Sequence, residues 1–98
     1  MARIQAYTNN YIGPGVTRTV VTGPGGIHTI IATCNSTTPA LVAFYDQTSA
    51  AAPTLLGLYV STYAPICFNM KDIGPIRFVT ALTVAVAAGA ACFVVTEE

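Results

Sequence analysis

The stretch V-T-R-T-V-V-T-G-P-G-G-I-H-T-I-I-A-T, residues 16–33, decides the fold class of this chain. β-Branched residues dominate both halves of the stretch, and such residues favour strands. Gly23-Pro24-Gly25-Gly26 separates the halves and has the residue types of a tight turn. Each half is also too short for a typical helix. The stretch therefore predicts two consecutive strands joined by a hairpin turn.

Short β-rich segments separated by turn residues continue to the end of the chain. Leu56, Leu58 and Val60 alternate with other residues in the segment 54–63, which is the period of two expected for a strand. Further strands are predicted at 40–46, 66–70, 76–78, 82–87 and 91–96. About eight short strands without a helix predict an all-β fold, as an antiparallel β-sandwich or a jelly-roll-like barrel. We expect residues 13–98 to form this single domain, and residues 1–12 to form an N-terminal arm or an edge strand.

Charge is scarce in this chain. Charged residues make up 8% of the 98 residues against 53% hydrophobic ones, and the formal net charge is zero. A soluble monomer normally carries more charge, because charge resists association, so this composition predicts a homo-oligomer or a protein that sits against neighbours. Nucleic-acid binding needs clustered cations, as does a basic membrane-surface helix. The four cationic residues are scattered instead, which argues against both partners: Arg3, Arg18, Lys71 and Arg77.

The uncharged segment from Phe78 to Thr96 is long enough to cross a bilayer as a helix. A strand is the preferred interpretation, because Leu82, Val84 and Val86 follow a period of two and Ala and Thr are weak drivers of insertion. Met1-Ala2-Arg3-Ile4 and the following residues lack the apolar core of a signal peptide. No membrane partner is therefore expected, and assembly in a cytoplasm is the expectation.

Few residues could carry catalysis. The single histidine, His28, lies inside a predicted strand, and it would need Asp46 or Asp72 to build a nucleophilic site. We expect His28 to be structural, and Asp46 to accept backbone N–H groups of the loop that follows it. Three widely spaced cysteines suit neither a zinc site nor a redox pair, although a disulfide stays open: Cys34, Cys67 and Cys92. The chain is therefore expected to be no enzyme and to hold no metal and no cofactor.

The chain resembles the small β-sandwich virion proteins encoded beside tailed-phage capsid genes, which serve as head-decoration or cement proteins. The resemblance covers roughly residues 16–96 and rests on five elements: Val20–Ile31, Phe44-Tyr45-Asp46, Pro65-Ile66-Cys67-Phe68, Gly74–Phe78 and Leu82-Thr83-Val84 with the final Val94-Val95. It implies glycine-led hairpins, a Tyr-Asp strand end and no catalytic residues. Three cysteines, and Pro75 in place of a small polar residue, depart from the pattern.

The resemblance implies a structural virion protein on the capsid surface that binds and bridges major capsid subunits or another virion protein. The segment Ala2 to Ile12 is the candidate for contact outside the sandwich, because aromatic residues dominate interface energies. The candidate interface residues are Ile4, Tyr7, Tyr11 and Ile12.

Two alternatives remain from the sequence. The chain could be a tail, connector, fibre or small coat subunit of a virion. It could also be a carbohydrate-binding β-sandwich that uses Tyr7, Tyr59 and Tyr63 as stacking faces, although few polar side chains accompany these tyrosines.

Overall fold

The computed structural model describes residues 7–51, 53–63, 65–69 and 76–97. The described chain consists of strands, turns and loops and contains no helix. In chain order the strands are β1 (Tyr7–Ile12), β2 (Thr17–Thr22), β3 (Gly25–Cys34), β4 (Ala40–Tyr45), β5 (Thr54–Val60), β6 (Ile66–Asn69), β7 (Ile76–Phe78), β8 (Ala81–Val86) and β9 (Ala90–Glu97). The all-β prediction is therefore confirmed.

The strands form two antiparallel sheets. Sheet A has the order β1-β9-β3-β6, and β7 also pairs with β3. Sheet B has the order β2-β8-β4-β5. The two sheets pack over a common core, as predicted for a β-sandwich.

The strand order is that of a jelly roll. β6 pairs with residues 29–32 of β3, and β7 pairs with residues 25–27 of the same strand. β6 and β7 therefore follow one another along one side of β3 and act as a single interrupted strand. With that strand counted once, eight strands divide into two four-stranded sheets, which is the jelly-roll arrangement.

Most connections cross from one sheet to the other. β4 and β5 are the one consecutive pair of described strands that pair with each other. The bend at Gly23-Pro24 leads from β2 in sheet B to β3 in sheet A, so the predicted hairpin at this point is wrong. Residue types indicate a tight bend, but the sheet that the chain then joins depends on distant strands.

The core lies between the two sheets and is made by alternate residues of most strands. Phe44, Leu82 and Val84 from sheet B meet Ile30 and Val94 from sheet A, and all five are fully buried. Burial of each such side chain is worth roughly 1.5–3 kcal/mol relative to exposure. The free energy of this core, rather than local propensity, holds the many non-local strand pairs together.

The uncharged segment 78–96 contains β8 and most of β9. Within the described residues, no helix is long and apolar enough to cross a membrane. Glu97, the last residue of β9, is buried, because β9 runs between β1 and β3 and pairs with both.

Candidate functional site

One row of exposed apolar side chains crosses the outer face of sheet A. Strand register places Tyr11 of β1 opposite Phe93 of β9, Phe93 opposite Ile31 of β3, and Ile31 opposite Cys67 of β6. Tyr11 is 56% exposed, Phe93 40% and Ile31 44%, and Cys67 is exposed with a free thiol. We call these four residues the apolar row.

The apolar row is stiff because its members sit on four hydrogen-bonded strands. The rings of Tyr11 and Phe93 pack at a tilt of 52° with their centroids 6.3 Å apart. Such tilted pairs are favoured by the ring quadrupoles. The contact between the two rings restricts the rotamers of both side chains, which would lower the entropy cost of a contact made through them.

A shallow depression of about 200 Å³ lies beside the row. Its lining contains Tyr11, Ile31 and Phe93 of the row, with Thr33, Ala91 and Cys92 beside them. Thr33 and Ala91 are register partners on β3 and β9. Because both are smaller than the ring of Phe93, the surface dips where they meet, and a partner side chain could enter there.

Among the described residues, no charged side chain belongs to the row or lines the depression. The cost of removing water from a contact is largest for charged groups, and an uncharged surface avoids it. The arrangement suits an apolar protein surface better than an ion, a phosphate or a nucleic acid.

Asp46, at the end of β4, holds two loops together. Its Oδ1 accepts hydrogen bonds from the backbone N–H of Thr80 at 2.8 Å and of Ala81 at 3.3 Å, and its Oδ2 accepts one from Val79 at 3.0 Å. The bonds from Val79 and Thr80 lower the pKa of Asp46 below its ordinary value of 3.8. The predicted acceptor role is right, but the donors are the turn after β7 and the first residue of β8, and not the loop that follows Asp46.

The loop after Asp46 is also fastened to sheet B. The hydroxyl of Thr83 donates to the carbonyl of Gln47 at 2.6 Å, and the hydroxyl of Thr19 donates to the carbonyl of Thr48 at 3.0 Å. Thr83 is consequently buried on the outer face of its sheet. Asp46 and its neighbours therefore form a structural network. The loop after Asp46 is fastened to sheet B and does not cover the outer face of sheet A.

The other candidates for chemistry are dispersed. His28 Nδ1 lies 2.7 Å from the Thr29 hydroxyl, and Asp72 lies outside the described residues. Burial raises the pKa of the Cys92 thiol to about 12, which makes it a poor nucleophile. The described residues include no group of three or more His, Cys, Asp or Glu side chains that could hold a metal ion. Cys34, Cys67 and Cys92 are all free thiols.

Two of the four predicted interface residues can be placed by their side chains. Ile4 lies outside the described residues, and Tyr7 begins β1. Tyr11 belongs to the apolar row, whereas the side chain of Ile12 is fully buried in the core and is not exposed for a contact outside the sandwich. The pleat of β1 explains the difference, because adjacent residues of a strand point to opposite faces.

Sequence reasoning missed Phe93, Ile31 and Cys67. The available signal was Ile30-Ile31 in β3, since apolar residues at adjacent positions place one on each face of a sheet. Their alignment with Tyr11 depends on strand register, which the sequence does not display.

No family model and no curated protein matches this chain.

Proposed function

We propose that this chain is a structural virion protein that decorates a capsid shell. Its partner is the major capsid protein or another virion protein, and it binds that partner through the apolar row. The observation that carries the proposal is the row itself, an ordered and uncharged strip across four strands that remains exposed in the single chain.

The physical properties of the row fit a protein partner. Aromatic side chains are enriched among the residues that dominate protein–protein binding energies, and charged residues are depleted at the centres of such interfaces. Tyr11 and Phe93 supply two aromatic side chains side by side. The depression at Thr33 and Ala91 supplies a small recess for a partner side chain.

The fold gives secondary support to the proposal. Jelly rolls occur in viral capsid domains and in lectins, and one fold can host many functions. Fold analogy therefore supports the proposal only together with the row and with the resemblance to head-decoration proteins.

The row is short, so a single contact through it would be weak. A decoration protein can tolerate weak contacts because many copies act on one shell, and an oligomer that bridges neighbouring capsid subunits gains affinity by effective concentration. The proposed mechanism is mechanical: bridged subunits cost more free energy to separate.

The first test locates and counts the protein in particles of the virus whose genome encodes it. Quantitative mass spectrometry should find copy numbers that scale with the capsid subunits, and immunogold labelling should mark the shell. Copies in the low numbers of a tail or connector, or labelling confined to the tail, would refute capsid decoration and favour the tail, connector or fibre alternative.

The second test addresses the row. Shells stripped of their native copies should rebind the wild-type protein but lose at least about tenfold in affinity for Tyr11→Thr/Phe93→Thr, because threonine keeps strand propensity and removes the rings. Tyr63→Thr is the matched control, since Tyr63 is 84% exposed and lies outside the row. Equal binding by the row variant and the control would overturn the proposed surface.

Carbohydrate binding is the second candidate. Tyr59 is 67% exposed and Tyr63 is 84% exposed, and exposed tyrosines can stack on sugar rings. A glycan array separates the two proposals: binding that Tyr63→Thr abolishes and Tyr11→Thr/Phe93→Thr preserves would favour the lectin function.

A further inference from the structure

The edge strand β5 differs from the other sheet edges that the structure describes. β2 carries Arg18 and a bulge next to Val20, while β6 and β7 are short and β7 carries Arg77. β1 has Asn9-Asn10 at its centre. Charges, bulges, short length and residues of low strand propensity are the usual protections of an edge. β5, with the sequence T-L-L-G-L-Y-V, has seven residues and no charge or proline. Its bulge, at Leu55, lies before the stretch 56–60, and within that stretch only Gly57 has low strand propensity.

The backbone of β5 offers hydrogen-bonding groups to the open side. The carbonyl of Leu41 accepts a hydrogen bond from the N–H of Ala87 at 3.0 Å, so the peptide groups of Leu41 face β8. Peptide groups alternate along a strand, so those of Val42 face β5 and meet those of its register partner Leu58. By the same alternation, the N–H and C=O groups of Gly57, like those of Tyr59, point away from β4 to the open edge.

The side chains of β5 are complementary to those of a second copy of β5 that runs antiparallel to it. If two copies pair antiparallel about Leu58, Gly57 of one copy lies opposite Tyr59 of the other, and Leu56 lies opposite Val60. Leu58 and Val60 are buried on the core side, so the second copy would continue the apolar interior. On the outer side an exposed Tyr59 ring would cover the hydrogen side chain of Gly57, a pairing known to stabilise glycine at sheet edges.

We propose that two copies of this chain pair antiparallel through β5, with Gly57 hydrogen-bonded to Tyr59 of the second copy and the two-fold axis at Leu58. The two B sheets then form one continuous eight-stranded sheet, since each contributes β2-β8-β4-β5. No charge has to be desolvated or matched along the shared edge. This inference goes beyond the proposed function and does not depend on it, because the contact is between copies and leaves the apolar row free.

Sedimentation equilibrium on the intact protein tests whether the dimer forms. Wild type is expected to be a dimer, and Gly57→Lys is expected to raise its dissociation constant at least about tenfold, because lysine is a common natural block of edge pairing and would displace the Tyr59 ring. A Cβ at Gly57 meets nothing in its own chain closer than Leu41 Cδ1 at 3.7 Å, so the monomer should accept the change. Val79→Lys adds the same charge at an exposed turn and should leave the dissociation constant unchanged.

Disulfide trapping tests the register and does not require Gly57→Lys to fold. In a Cys67→Ser background, chains carrying Gly57→Cys are mixed with chains carrying Tyr59→Cys and oxidised with diamide. Hydrogen-bonded partners have Cα atoms about 5.5 Å apart, within the range that a disulfide spans. The mixture should cross-link, and either chain alone, or mixed with Val79→Cys, should not.

A wild-type monomer, a dimer that Gly57→Lys leaves unchanged, or cross-linking no greater in the mixture than with Val79→Cys would each overturn the proposal. If the protein dimerises through β5 but does not attach to capsids, the proposed function is refuted and the β5 dimer stands. If the protein attaches to capsids but is a monomer, the β5 dimer is refuted and the proposed function stands.

Discussion

Replacing Gly25 with alanine should destabilise the fold much more than the same change at Gly57. Gly25 opens β3 and pairs with Phe78 of β7. A Cβ at residue 25 would lie 2.8 Å from Phe78 Cζ and 3.0 Å from the backbone carbonyl oxygen of Glu97. Neither glycine has a positive φ, so backbone strain does not distinguish the two sites.

The magnitude follows from how little the neighbours can move. Phe78 is 2% exposed, and the Glu97 carbonyl belongs to a strand paired on both sides. Overpacking of this kind costs typically about 1–3 kcal/mol, and we expect about 2 kcal/mol for Gly25→Ala. For a domain of this size that is roughly a 10 °C drop in Tm. Gly57→Ala should change stability by less than about 1 kcal/mol, in either direction.

Urea unfolding measures this difference in the monomer, at a protein concentration below the dimer dissociation constant and with both variants compared at unchanged m-value. A double-variant cycle then tests the cause: in a Phe78→Leu background, Gly25→Ala should cost about 1 kcal/mol less than in wild type, because the ring atom nearest the new Cβ is gone. Equal losses at the two glycines, or the same cost of Gly25→Ala in both backgrounds, would refute the steric reasoning.

Two further predictions concern titratable groups. The pKa of Asp46 is lower in the folded protein than its ordinary value of 3.8, so its contribution to stability is present above that value and is lost as pH falls through the folded pKa. Asp46→Asn should therefore flatten the fall of Tm below about pH 4, and an unchanged acid profile would contradict the role of the Val79 and Thr80 hydrogen bonds. For the thiols, Ellman's reagent on the native protein should label the exposed Cys67 readily and Cys92 only after denaturation, since burial raises the pKa of Cys92 to about 12. Native labelling of Cys92 at the rate of Cys67 would show that the core opens at β9.

Several strands could be read directly from the sequence because their evidence is local. Leu82, Val84 and Val86 alternate with smaller or more polar residues. This pattern predicted a strand at 82–87, and the structure has β8 at Ala81–Val86. Ala40 to Asp46 likewise predicted β4 at Ala40–Tyr45. Period and residue type require no knowledge of distant parts of the chain.

The partners of each strand and of each hydrogen-bonding side chain could not be predicted from local sequence. Gly23-Pro24 has the residues of a hairpin turn, yet the flanking strands join different sheets. Asp46 has the chemistry of a loop acceptor, yet its donors are 33–35 residues further along the chain. In both cases the residue types predicted the local role correctly. The paired strand and the hydrogen-bond donors, however, depend on how the whole core is buried.

The candidate site likewise has one residue that the sequence predicted and others that only the strand register brings together. Tyr11 could be proposed from residue type alone, because exposed aromatics favour interfaces. Its neighbours Phe93, Ile31 and Cys67 come from three other strands, and only the register of sheet A sets them in one row. Ile12 shows the converse: it is as apolar as any anchor, but the pleat of β1 directs it into the core.

The sequence by itself determined that the chain is built from short strands, that its surface is nearly without charge, and where the chain bends. The tertiary structure alone decided which strands pair, which face of each strand is covered, and which edge stays open. Alternation and turn residues are properties of neighbouring residues. Strand order and register within a sheet instead minimise the exposed apolar area of all the strands that the structure describes.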